Sequence, residues 1–174
     1  MDFIVNNALK QADMKTSDGL VVGQANIKVI GVGGSGNNMV GWLYQKGIKG
    51  AEILACNTDL QHLNIIDADK KFLIGKELTK GLGCGGFPEK GSQAAQESIQ
   101  ELKDNLKGAD MVFVCAGMGG GTGTGAAAIA AEVAKAAGAI VIGTVTMPFK
   151  IERARVDKAE FVLQRLQLIY YYLL

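Results

Sequence analysis

The sequence predicts an α/β fold, a parallel sheet with helices on both faces, and three observations carry that prediction. Short continuous apolar runs alternate with stretches whose apolar residues recur at steps of three and four, the pattern of strands buried on both sides and of amphipathic helices. Two of these runs pass through a glycine cluster directly into a helical stretch. Glycine occurs 24 times in 174 residues, about twice its usual share of roughly 7%. Clustering between periodic segments marks loops with special torsions or close approaches, whereas low complexity would scatter the glycines.

Taken in order, residues 1–15 carry a weak helical stripe of Ile4, Val5, Ala8, Leu9 and Ala12, with a loop to Gly23. They divide the chain into a leader over 1–23 and a main domain over 24–174. IKVIGV at 27–32 reads as the first strand, and residues 37–45 as a helix through Met39, Val40, Leu43 and Tyr44. EILAC at 52–56 is a second strand, 59–66 a short helix and KFLI at 71–74 a third strand. Residues 75–91 form a long irregular stretch holding the second glycine cluster, and 92–106 read as one helix through Ala95, Ile99, Leu102 and Leu106. MVFVCA at 111–116 leads through the third cluster into an alanine-rich helix over 126–137, AIVIGTV at 139–145 is a further strand, and 152–167 is helical. Such a Rossmann-like sheet binds ligands beyond the carboxyl ends of its strands, where the first and third glycine clusters lie.

Composition removes several function classes. With 18 Lys+Arg against 17 Asp+Glu, the chain has no global field to draw in nucleic acid or an anionic membrane. No apolar run approaches the ~20 residues of a membrane span, and Met1-Asp2-Phe3 opens no secretory signal. Cys56, Cys84 and Cys115 contain no C-x-x-C pair, which argues against a disulfide framework or zinc site and points to a reduced cytoplasm.

A strand entering a helix through glycines leaves amide N–H groups unshielded at the positive end of the helix dipole, a natural phosphate site. Gly31, Gly33 and Gly36 match G-x-G-x-x-G, and Asp59, 23 residues beyond Gly36, stands where a ribose-binding acid would sit. That leaves an NAD-dependent oxidoreductase open. Gly119, Gly120, Gly121, Thr122, Gly123, Thr124 and Gly125 form a second phosphate loop with two hydroxyls, which a dinucleotide does not require. Two loops on one ligand suit a mononucleotide carrying two or three phosphates. No G-x-x-x-x-G-K-[ST] occurs, so amides, helix dipoles and a bound Mg²⁺ balance the phosphate charge.

The segments IKVIGVGGSGNNMV (27–40), CNTD (56–59), GLGCGGFPEKG (81–91), ADMVFVCAGMGGGTGTGAA (109–127) and MPFKIERAR (147–155) resemble, in order and spacing, the tubulin/FtsZ family, and the short loops are more similar to its bacterial and archaeal cell-division members than to tubulins. The resemblance implies a GTPase with GTP or GDP as ligand, self-association into filaments, cell-division accessory proteins as further partners, and hydrolysis completed by a neighbouring subunit. It places Gly33, Gly34, Ser35, Gly36 and Asn37 around the diphosphate and Asn38 near guanine. The backbone of Cys84, Gly85 and Gly86 would sense the terminal phosphate, Gly119 to Gly125 would hold the phosphates, and Glu152 would meet the ribose. The family's arginine falls four residues after that glutamate, at Val156 here, leaving Arg155 or Arg153 as its substitute; Phe87 stands where bacterial members often have asparagine. After Gln167 only LIYYYLL remains. The resemblance therefore implies a domain truncated before the family's central helix, base-specifying aspartate, catalytic loop and second domain, with no catalytic residue in this chain. A non-hydrolysing assembly module that keeps the pocket is the remaining alternative. His62, the lone histidine, reads as a surface or partly buried residue.

Overall fold

The computed structural model describes residues 25–167 and 171–173, and their side chains as far as Glu160. The leader over 1–23 lies outside the described residues. Six parallel strands form one sheet in the order β3-β2-β1-β4-β5-β6: β1 Ile27–Val32, β2 Ala51–Asn57, β3 Lys70–Leu73, β4 Met111–Gly117, β5 Ile140–Thr146 and β6 Tyr171–Leu173. This is the doubly wound order of the Rossmann fold, in which the chain starts at the centre and winds outward twice. The helices are α1 Gly33–Gln45, α2 Leu60–Ile65, α3 Lys76–Thr79, α4 Pro88–Glu97, α5 Ile99–Leu106, α6 Thr122–Ala136 and α7 Ala154–Gln167, the last preceded by a 3₁₀ turn over Lys150–Glu152.

The period-two geometry of the strands divides their residues between two cores. Ile30, Val32, Leu54, Cys56, Val112, Val114 and Ala116 face α4, α5 and α6, where they pack with Leu102, Leu106, Ala127 and Ala130. Val29, Ile53, Ala55 and Cys115 face the other way and meet Val40 of α1, Leu63 of α2 and Ile66. Every residue from Lys28 to Val32 is buried, which is why β1 reads as an unbroken apolar run. Its one charge, Lys28, bonds Glu52 Oε2 at 3.0 Å and the Asn105 carbonyl at 2.6 Å, while Glu52 also meets Lys70 at 2.6 Å.

Five boundaries differ from the sequence reading, one being the start of α4 at Pro88, four residues before the expected 92. Helix α1 begins at Gly33 and α6 at Thr122, each about one turn early, because the glycines thought to precede the helices form their first turns. The stretch 92–106 is two helices broken at Ser98. There Ser98 Oγ accepts from the Gly75 amide at 2.9 Å, and the Glu97 carboxylate accepts from the Glu77 and Leu78 amides at 3.0 and 3.1 Å. The break thus satisfies the first turn of α3, itself a helical turn inside the stretch read as irregular. The helix expected over 152–167 begins at Ala154, after Arg153 takes a left-handed φ of 41°.

Candidate functional site

Helices α1 and α6 both start without the side-chain caps that ordinarily satisfy the first amides. Val32 precedes α1 and Gly121 precedes α6, neither start has a side-chain cap bond, and neither first turn contains an acidic residue. Each start therefore presents free N–H donors and the positive dipole end. The two starts touch. Gly33 adopts φ 73°, and a Cβ built on it would lie 2.6 Å from the Gly123 amide nitrogen; one on Gly117 would lie 2.5 Å from Ser35 Cβ. The loop over 83–87 joins them, since a Cβ on Gly121 would fall 2.8 Å from Cys84 Cβ and 3.2 Å from the Gly86 amide. The three glycine clusters thus converge at the carboxyl ends of the central strands.

The glycines fall into two kinds. Gly31, Gly36, Gly91, Gly121, Gly123 and Gly125 have backbone within touching distance of where a side chain would begin. Gly36 abuts the Cys115 carbonyl, and Gly125 abuts Pro88 where α4 crosses α6. Their smallness is spent on packing. Gly120 and Gly86 have nothing within 4 Å, Gly85 meets only Phe87, and Gly34 meets only the His62 ring at 3.9 Å. These four border open space from which a ligand can approach the main chain.

Side chains sort likewise. Ser35 and Asn38 are exposed, whereas Asn37 is fully buried; with its amide nitrogen turned inward it donates to the Gly31 carbonyl at 2.8 Å and the Cys56 carbonyl at 3.3 Å, stitching β1 to β2. Thr122 Oγ1 shares a 2.7 Å hydrogen bond with Thr58 Oγ1, which also lies 3.3 Å from Cys84 Sγ. Thr124 Oγ1, in the first turn of α6, is buried without a partner, alone in this among the described residues. The uncapped, acid-free helix starts and the open approach beside Gly34, Gly85, Gly86 and Gly120 are what fit a polyphosphate here.

Glu152 Oε1 accepts from the Phe149 amide at 2.9 Å and Oε2 from Arg155 at 3.0 Å, and Arg155 Cβ would lie 2.9 Å from a Cβ on Gly119. The pair therefore borders the third cluster. Asp59, the acid of the dinucleotide reading, caps α2 by accepting from the His62 amide at 3.0 Å. Cys84 is buried. Cys56 and Cys115 lie in the core, and burial pushes both thiols up, Cys115 to about 11.

Two residues at the site carried no signal in the sequence. Lys158 donates to the Gly86 carbonyl at 2.9 Å and lies 5.8 Å from the Phe87 ring centre, with Lys90 at 5.4 Å. His62 bridges Asn38 Oδ1 at 3.1 Å and Asn57 Nδ2 at 3.4 Å. Both act through tertiary contacts that no local spacing announces.

Comparison with known proteins places this geometry. The sequence profile described as Tubulin/FtsZ family, GTPase domain, matches residues 26–170. Cell division protein FtsZ 2 of Methanocaldococcus jannaschii is 55% identical over 157 residues, covering 90% of this chain and 41% of the relative. Cell division protein FtsZ 1 of Thermococcus kodakarensis is 52% identical over 145 residues, 83% of this chain and 39% of the relative. Among solved structures, an empty FtsZ dimer from M. jannaschii superposes with a TM-score of 0.83 at 44% identity, covering 97% of this chain and 46% of the other. A GTPγS-bound protofilament of CetZ2 from Haloferax volcanii gives 0.74 at 27% identity, covering 83% and 46%. The chain spans less than half the length of each of these proteins.

Proposed function

Because the chain belongs to the tubulin/FtsZ GTPase-domain family, we propose that it is the guanine-nucleotide-binding part of a filament-forming cell-division GTPase. The observation that carries the reading is the contact between two uncapped, acid-free helix starts. In this reading the free amides of Gly33, Gly34 and Ser35 hold the diphosphate, with Gly36 and Asn37 closing the helix turn behind them, and Gly120, Gly121, Thr122, Gly123 and Thr124 grip it from α6, where the Gly125 amide bonds the Gly121 carbonyl at 3.0 Å. The Gly85 and Gly86 amides meet the terminal phosphate, Asn38 meets the base, and Glu152, held by Arg155, meets the ribose. Preorganised donors of this kind stabilise charge that builds on phosphate oxygens during hydrolysis. Bound Mg²⁺ would add charge neutralisation, held by phosphate and water; among the described residues no cluster of three or more His, Cys, Asp or Glu is placed to hold a metal.

Asp59 Oδ1 caps α2 and the Glu152 carboxylate bonds the Phe149 amide and Arg155, structural roles at the border of the site. In the proposed reading the enzyme is composite: a neighbouring subunit supplies the activating acid and polymerisation completes the site. The M. jannaschii dimer and H. volcanii protofilament support self-association. No helix among the described residues is long and apolar enough to cross a membrane, and we read the protein as acting in the cytoplasm. The test is GTP turnover by this chain alone and after addition of a complete family member. Negligible turnover alone is expected; robust turnover by the chain alone would overturn the shared site.

A further inference from the structure

We infer that His62 is a positioning residue for nucleoside recognition: it holds the Asn38 amide with its NH₂ turned to the ligand, so that this corner reads a hydrogen-bond acceptor on the bound nucleoside. The inference rests on the guanine-nucleotide reading above and deepens it.

The orientation follows from a chain of donors and acceptors that begins in the core. Asn57 Oδ1 accepts from the Thr58 amide at 2.9 Å, which leaves Asn57 Nδ2 as the atom facing His62 Nδ1 at 3.4 Å. Nδ2 is a donor only, so Nδ1 must be the unprotonated nitrogen of the ring, and the ring proton resides on Nε2. Nε2–H then donates to Asn38 Oδ1 at 3.1 Å. With Oδ1 turned to the imidazole, the Asn38 NH₂ is held on the side away from the ring, where its two N–H donors are the groups presented outward. Asn38 is exposed in the first turns of α1, and the same imidazole lies 3.9 Å from where a Cβ on Gly34 would stand. One ring therefore borders the glycine loop and sets the polarity of its neighbouring amide. Asn57 is buried, so the template for this choice lies in the end of β2 and does not depend on ligand.

His62 is the single histidine of the chain, which makes its tautomer directly readable. A long-range ¹H–¹⁵N spectrum of the ligand-free chain near pH ~8, where an ordinary imidazole is uncharged, should show the proton on Nε2; a proton on Nδ1 would overturn the inference. In binding titrations with fluorescent GTP and GDP analogues, His62→Leu should weaken both by the same factor, about fivefold, as expected for one neutral hydrogen bond. His62→Gln, whose amide nitrogen can take the Nε2 place, should recover to within about twofold of the parent. Unchanged affinity in His62→Leu, or equal losses in both variants, would contradict it. Should His62→Leu fail to fold, the glutamine variant and the tautomer still decide. If the parent chain binds no guanine nucleotide, the functional reading fails, while the spectrum continues to judge the relay.

Discussion

At the scale of single residues, the same amino acid serves two purposes in one site. A methyl on Gly36 would collide with the Cys115 carbonyl, backbone that cannot swing aside, whereas a methyl on Gly120 meets nothing. Gly36→Ala should lower stability by ~3 kcal/mol, on the order of 10 °C in Tm for a chain of this size, read by thermal melting. Gly120→Ala should melt with the parent yet bind GDP about tenfold more weakly, because the methyl holds a phosphate off the main chain by roughly one charge-assisted contact. Equal melting of the two variants would contradict this division of labour. The glycine clusters were legible in the sequence as close-approach loops, but which glycines pack and which face a ligand depends on contacts from β4 and α4. Asn37 shows the same limit: its motif position suggests a ligand contact, whereas its side chain bonds the Gly31 and Cys56 carbonyls. As the fifth residue of α1 it also has its backbone amide in the helix ladder, so Asn37 serves the site by holding β1 to β2.

At the scale of elements, the apolar runs placed β1 to β5 to within one or two residues; β1, β2 and β4 are mostly buried, and strands covered on both faces have little freedom to look otherwise. Helix boundaries were less legible because they are set by partners distant in sequence. The α4–α5 break depends on the amides of Gly75, Glu77 and Leu78 donating to Ser98 and Glu97. Ser98→Ala should cost about 1 kcal/mol by leaving the Gly75 amide unpaired, measurable by urea unfolding. At the opposite end of the sheet, Lys70 and then Lys28 hydrogen-bond Glu52 and hold its carboxyl below the ordinary 4.5 despite partial burial. A carboxylate depressed in the folded state contributes stability that is fully present above its unfolded value and lost as pH falls through the folded one. Glu52→Gln, which leaves buried Lys28 without its counter-ion, should lower stability by about 2 kcal/mol at pH 7. The penalty should shrink below about pH 4, where the parent loses its own charge.

At the scale of the whole molecule, the chain is a nucleotide-type sheet whose first and fourth strands deliver two positive helix ends to one place. The resemblance in the glycine loops and the observed strand order agree on that architecture, and family membership follows from a match over residues 26–170. Which glycines face a ligand is set by contacts between segments distant in sequence, which local spacing does not display. The central claim is that the α1 and α6 starts bind one ligand together. Hydrogen exchange of backbone amides with increasing GDP tests it most directly. Protection should rise over the free amides of 33–35 and 122–124 in parallel, with a single midpoint in GDP concentration. Protection confined to 33–35, or separate midpoints for the two segments, would contradict it.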